Sequence, residues 1–399
     1  MLVLAINIVQ AQNLDKAVDG QWSKERINKW YSELPWLVGC NYYPATAINQ
    51  IDMWQKSTWD PTQIKKELDW AKDMGMNTLR VYLHDLVWED DEKGLYKRMD
   101  EFLEICKVRG IRPWFVFFDD CHFPEPRLGK QPLPVKAYHN SGWYNCPARE
   151  LAERYSVGKA TKAEVARIKG YVQETMRHFA NDERILMWEL YNEPGRGAGT
   201  GGDMAATAPQ TGTIGDVSAK LVYDSWVWAR EVNPSQPITS CTDGSVGKMN
   251  IAINQLNSDL YSIHSYTEAE RLEQLIRKTK DFGRPVFVTE WLARDRGSVV
   301  EDCLPLMKEL NVAAVNWGFV SGKSGTIWPW SSRSIPGKKG KKSKRNIVAE
   351  RERGNVVKPG EKYPEPKIWF HDLLRMDGTA YDEKEIDLFK QLTKNNKQF

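Results

Sequence analysis

Short apolar runs alternate with segments whose apolar positions recur every three to four residues, and the alternation repeats eight times along the chain. The strand-like runs cover 36–43, 78–83, 112–118, 185–191, 237–242, 260–266, 285–289 and 312–319. The first helical pattern starts at Pro61, with Ile64, Leu68 and Ala71 on one face. Others cover 97–109, 162–180, 217–232, a short piece near Ile251, 268–280, 300–310 and 383–392. Asp60 before Pro61 is a cap followed by proline at the first helical position. The run 112–118 is apolar at nearly every position, so both of its faces need cover, as in a parallel sheet. Eight strand-then-helix units predict an α/β fold, a single (β/α)8 TIM barrel. An open doubly wound sheet is the alternative, and it leaves unexplained the polar residues at so many strand ends.

Four segments depart from this rhythm. Residues 1–20 open with an apolar stretch, Leu2 to Val9, that is too short for a membrane span and reads as a residual signal segment. That reading puts the protein in a secreted or periplasmic location and the catalytic barrel in 21–399. The connection 119–158 is long, and such loops are functional or disordered. The glycine-rich stretch 195–215 reads as a movable rim or as surface slack. A basic insertion at about 331–366 contains Lys338, Lys339, Lys341, Lys342, Lys344 and Arg345. It reads as a solvated loop, or as an attractor for an acidic or sulfated polymer.

Composition narrows the partners. A formal net charge of +3 over 399 residues gives no global call for nucleic acid. The 17 tryptophans exceed ordinary usage, and indole faces stack on the apolar faces of sugars as well as filling cores. The six cysteines lack metal-like spacing, though Cys121 and Cys146 share one loop and could pair in an oxidising compartment.

The fourth apolar run ends in Trp188-Glu189-Leu190-Tyr191-Asn192-Glu193-Pro194, and the seventh runs into Glu290. Two carboxyls delivered to one rim suit glycosidic cleavage, in which one protonates the departing oxygen and the other attacks the anomeric carbon or activates water. The acid needs a raised pKa, and aromatic walls such as Trp188, Tyr191 and Trp291 would supply it. Asn192 is placed to donate to a sugar hydroxyl. Strand alternation puts Glu189 on the same side as Glu193 but deeper, where Arg80 is a suitable partner. Asn41, Tyr42 and Tyr43 end the first strand and are expected to line the same pocket.

These motifs resemble the clan A retaining glycoside hydrolases, especially the cellulase-like family 5 group. The resemblance covers about 37–319. It implies that Glu193 is the general acid/base and Glu290 the nucleophile. It matches Arg80 to the strand-two arginine, His264 and Tyr266 to the strand-six His-x-Tyr, and Trp317 to the tryptophan under the sugar. The usual strand-three histidine is replaced by Asp119-Asp120-Cys121-His122, so His122 stands in or the acidic pair binds sugar hydroxyls. Thr289-Glu290-Trp291 is closer to the β-galactosidase and β-mannosidase relatives of the clan.

The expected activity is therefore retaining hydrolysis of β-linked oligo- or polysaccharide, endo-β-glycanase, mannanase or cellulase-like. Alternatives are an exo-β-glycosidase or transglycosylase on the same barrel, a metal-dependent barrel hydrolase, and a non-catalytic sugar-binding barrel. No metal or organic cofactor is implied, the expected partner is the saccharide substrate without nucleic acid or membrane span, and a monomer is expected.

Overall fold

The structure, a computed structural model, describes residues 14, 16–196, 214–243, 247–336, 342–396 and 399. In chain order the main sheet contains β1 (Val38–Asn41), β2 (Thr78–Tyr82), β3 (Arg112–Asp119), β4 (Trp188–Asn192) and β5 (Ile238–Thr239). It continues with β6 (Cys241–Asp243), β7 (Tyr261–His264), β8 (Val286–Glu290) and β9 (Ala313–Trp317). All pairings among these nine strands are parallel, in the order β5-β4-β3-β2-β1-β9-β8-β7-β6. The ends of that order, β5 and β6, are separated in the chain by Ser240 alone. The cylinder thus closes through one interrupted strand, and each of the eight expected strands is present as a (β/α)8 barrel. Ser240 leaves the ladder because its hydroxyl donates to the Tyr191 carbonyl at 3.1 Å, and the register shifts just beyond it.

The helices follow the apolar period, with local corrections. Pro61–Asp73 begins as expected, with the Asp60 carboxylate accepting from the Gln63 amide at 3.0 Å. The second helix starts at Asp85 rather than 97, because Asp91 takes a non-helical conformation (φ −150°, ψ 62°) that breaks the periodicity. Helices Lys24–Ser32, Arg149–Ser156 and Ile347–Glu352 were not expected. The first of these closes the base of the barrel, where Ile27 packs with Leu37, Trp114, Leu186 and Phe287.

Strand packing is tight at Gly39 on β1. A Cβ there would lie 1.8 Å from the Thr78 carbonyl oxygen of β2, so only glycine fits. No disulfide joins Cys121 and Cys146: the first is turned to Glu193 and the second to Asp85. Among the described residues no helix is long and apolar enough to cross a membrane. The apolar stretch 1–12, most of 195–215 and the basic positions 338–341 lie outside the described residues.

Candidate active site

β4 and β8 end on the same mouth of the barrel. Glu290 is the last residue of β8, and Glu193 directly follows β4. Glu193 has φ +41°, a left-handed backbone that side chains other than glycine rarely adopt. Two contacts hold it there: the Arg196 amide donates to the Glu193 carbonyl at 3.1 Å, and the Gly195 amide donates to Asp120 at 2.8 Å.

Beneath the mouth lies a buried polar layer centred on Arg80. Its Nε and Nη2 donate to the two oxygens of Glu189 at 2.8 and 2.6 Å, a bidentate pair. Nη2 also reaches Asn192 at 2.8 Å, while Nη1 reaches Asn41 at 2.9 Å and Glu290 Oε1 at 2.8 Å. Trp114 Nε1 completes Glu189 at 3.0 Å. Burying these charges is tolerated because each carboxylate meets a guanidinium and further donors. The other oxygen of Glu290 accepts from the Tyr266 hydroxyl at 2.7 Å, and Tyr82 donates to Oε1 at 3.2 Å. Burial, then the charge of Glu290, pushes the Tyr266 phenol well above its ordinary pKa, so it remains an O–H donor.

Glu193 contacts a different set of groups. His264 Nδ1 lies 2.9 Å from Glu193 Oε1 and 3.4 Å from Glu290 Oε2. Arg196 Nε lies 3.3 Å from Glu193 Oε2. Burial pushes the Glu193 pKa up, but the Arg196 charge and the hydrogen bond and charge of His264 outweigh it and hold the carboxyl well below the usual range. This is opposite to the raised value expected of an acid. Burial would lower His264 too, yet the Cys241 sulfur, the Glu290 charge and the bond to Glu193 raise it well above an ordinary imidazole. The two shifts run in opposite directions, so within the Glu193–His264 pair the imidazole has the higher proton affinity.

A cavity of about 290 Å³ opens over these groups. Asn192, His122, His264, Tyr266 and Trp317 line it together with Glu193 and Glu290. His122 and Trp317 stack, with ring centroids 6.3 Å apart and planes 16° apart. Four other residues expected to touch substrate do not line the cavity. Arg80 and Asn41 are buried in the layer below. Tyr43 turns its hydroxyl to Thr326 at 3.1 Å and packs its ring on Trp143. Trp291 is fully buried, because alternation turns the residue after Glu290 to the opposite face. The acidic pair is also engaged internally. Asp119 accepts from Asn192, Cys121, His122 and Trp143, and Asp120 accepts from Tyr191, Gly195 and Ser218.

Sequence reasoning missed Tyr82, Arg196, Arg296, Arg333, His139 and His371. Tyr82 was within reach: it stands two residues after Arg80 on β2 and shares its inward face. The others sit outside the main strands, where no period reports direction.

Ligand atoms of Glu193, His264 and Glu290 all lie within 4.8 Å of one another, a spacing that could hold a cation. That cation would face the guanidiniums of Arg80 and Arg196 at close range, and their repulsion disfavours it. In the second such cluster, His84, Asp85 and Cys146, Asp85 is engaged by Arg167.

Solved structures share the fold. An endo-β-1,4-mannanase from Thermotoga petrophila aligns at 14% identity and TM-score 0.53, covering 91% of this chain and 77% of that one. An exo-β-1,4-mannosidase from Opitutaceae bacterium strain TAV5 aligns at 16% identity and TM-score 0.55, covering 90% and 59%. A broad-specificity endoglucanase from Clostridium longisporum aligns at 13% identity and TM-score 0.54, covering 92% and 98%. Comparison with curated protein sequences finds no match. The family profile Cellulase (glycosyl hydrolase family 5) matches residues 43–323, most of the barrel. The chain belongs to the cellulase family, glycosyl hydrolase family 5, and is a glycoside hydrolase.

Proposed function

We propose that the protein cleaves β-linked oligo- or polysaccharide by double displacement with net retention. Glu290 attacks the anomeric carbon as Glu193 protonates the departing oxygen, giving a glycosyl-enzyme. Glu193 then takes a proton from water, which displaces Glu290 and releases the sugar. The observation that carries this reading is the short gap between the two glutamates: one oxygen of each carboxylate lies within 4.8 Å of the other, across one cavity. Retaining pairs stand about 5–5.5 Å apart, and inverting pairs about 6.5–9.5 Å apart to admit a water.

Glu290 is fixed by Arg80 and Tyr266 on its two oxygens, which suits an oriented nucleophile. Substrate that draws Arg196 off Glu193 removes the largest downward pull on that carboxyl. Burial then raises its proton affinity, and His264 stands 2.9 Å away to supply the proton. Asn192, held by Arg80 and Asp119, presents its amide beside the reacting centre.

Two readings of chain position remain, internal cutting and removal of terminal sugars. A volume of about 290 Å³ favours the second, since it is small for a cleft that holds several sugar rings. The test is proton NMR of the first anomer released from an aryl β-glycoside. Retention gives the β-anomer first, and an α-anomer first would overturn the mechanism. Glu290→Ala should lower kcat by more than about 10³-fold.

A further inference from the structure

Two histidines that border the cavity each hold a nitrogen lone pair that the protein does not use. His139 and His371 both line the cavity and are 2% and 1% exposed. His139 Nδ1 lies 2.6 Å from the Trp328 carbonyl oxygen, and His371 Nδ1 meets the carbonyl of Leu292. A carbonyl only accepts, so each Nδ1 carries a proton and donates it. Burial first, then the charge of Arg333, holds His139 well below an ordinary imidazole. Burial likewise takes His371 down to about 3. Both rings are therefore neutral, and Nε2 of each is an acceptor. Among the described residues neither Nε2 has a hydrogen-bond partner.

Asn140 adds a third uncommitted group. It lines the same cavity at 4% exposure, and its buried Oδ1 has no partner among the described residues. Buried acceptors left unpaired are costly unless a ligand brings donors to them. Neutral imidazole nitrogens and a carboxamide suit the O–H groups of an uncharged sugar.

The wall that carries these groups is tied across the mouth. The loop after β3 and the segment after β9 are joined by an antiparallel bridge between Val135 and Val356. The Lys136 amide donates to the Asn355 carbonyl at 3.1 Å, and the Val357 amide to the Pro134 carbonyl at 2.8 Å. The His139 amide donates to the Ser332 hydroxyl at 2.9 Å. In the sheet, β1 and β2 stand between β3 and β9. The chain after β1 joins the same assembly: Asn49 donates to the Gly142 carbonyl at 2.8 Å, and the Lys323 amide donates to the Ala45 carbonyl at 3.0 Å. The tie therefore spans the β1–β2 side of the mouth. At the far end of the wall the His371 ring lies 5.5 Å from that of Tyr266, which donates to Glu290.

We propose that this tied wall ends the site, and that His139, His371 and Asn140 form the subsite that takes the hydroxyls of an uncharged chain-terminal sugar. This rests on the hydrolase reading above and assigns residues to the removal of terminal sugars. The test uses nitrophenyl β-glucoside, β-mannoside and β-galactoside, with monodeoxy analogues of whichever is cleaved best. Removing a hydroxyl that meets one of these acceptors should lower kcat/KM about 10- to 100-fold, because the acceptor is then buried unpaired. Deoxygenation eases an oxocarbenium-like transition state, so a loss of this size reports a lost contact. His139→Phe and His371→Phe keep a ring in the wall and remove its nitrogens, while Asn140→Gly suits the backbone φ of +49° there. In at least one variant the parent glycoside should slow about tenfold and the matching deoxy analogue should slow no further, so that their ratio approaches one. Near-ultraviolet circular dichroism checks that each variant is folded, and the wild-type series needs no variant. Deoxy analogues all cleaved like the parent, or ratios that the variants leave in place, overturn the proposal and leave the hydrolase reading standing. Cleavage of β-glucan or β-mannan at internal bonds, without cleavage of any single-sugar glycoside, does the same. Failure to cleave glycosides and polymers alike overturns both.

Discussion

Arg196→Gln removes a charge 3.3 Å from the carboxyl assigned as acid. At that distance Coulomb's law gives about 1.3 kcal/mol in a water-like medium and about 5 kcal/mol at an effective dielectric constant of 20. The two side chains are 18% and 9% exposed, so partial screening leaves roughly 1.5–3 kcal/mol. At about 1.4 kcal/mol per pH unit this corresponds to about one to two units. The sign follows from the charge. Protonated Glu193 is needed to cleave, so activity is lost as pH rises through the ionisation of the Glu193–His264 pair. Removing a cation makes the pair hold its proton more tightly, and the basic limb moves to higher pH. The assay is kcat/KM on an aryl β-glycoside from about pH 4 to 10, with Arg196→Lys as a charge-preserving control. A limb that stays in place, or moves to lower pH, refutes the assignment of Arg196 as the group that depresses Glu193.

Four other perturbations test the scaffold and the site. Arg80→Met strands the buried carboxylates of Glu189 and Glu290 and should lower unfolding stability by about 3–5 kcal/mol in urea titrations. Adding Glu189→Leu should restore part of that loss. Gly39→Ala drives a methyl into the Thr78 carbonyl and should cost about 1–3 kcal/mol or prevent folding, read as a lower Tm. Trp317→Ala removes an indole from the cavity lining and should raise KM about tenfold with a smaller change in kcat. Dialysis against a chelator should leave turnover unchanged, because Arg80 and Arg196 already supply the positive charge beside the carboxylates.

Much of the barrel was readable because parallel strands buried on both faces leave unbroken apolar runs such as 112–118. The break at Ser240 was not readable, since it depends on a hydroxyl finding the carbonyl of a neighbouring strand. In the site, residues at strand ends were found and their depth was misjudged. Arg80 and Asn41 share the mouth with Glu290 in sequence logic, yet they lie one layer below it. Trp291 was misplaced by ignoring the two-residue alternation that correctly placed Glu189. The arginines of the cavity stand on loops, and their convergence is a product of tertiary packing that no local pattern encodes.

The positive φ at residue 193 sets chemistry against endurance. Holding a glutamate at φ +41° costs on the order of 1–2 kcal/mol, whereas asparagine or glycine adopts that conformation readily. Libraries selected for thermal survival alone should therefore drift to asparagine or glycine at 193 and fall silent. Any stabilisation campaign on this scaffold needs that codon fixed before selection begins.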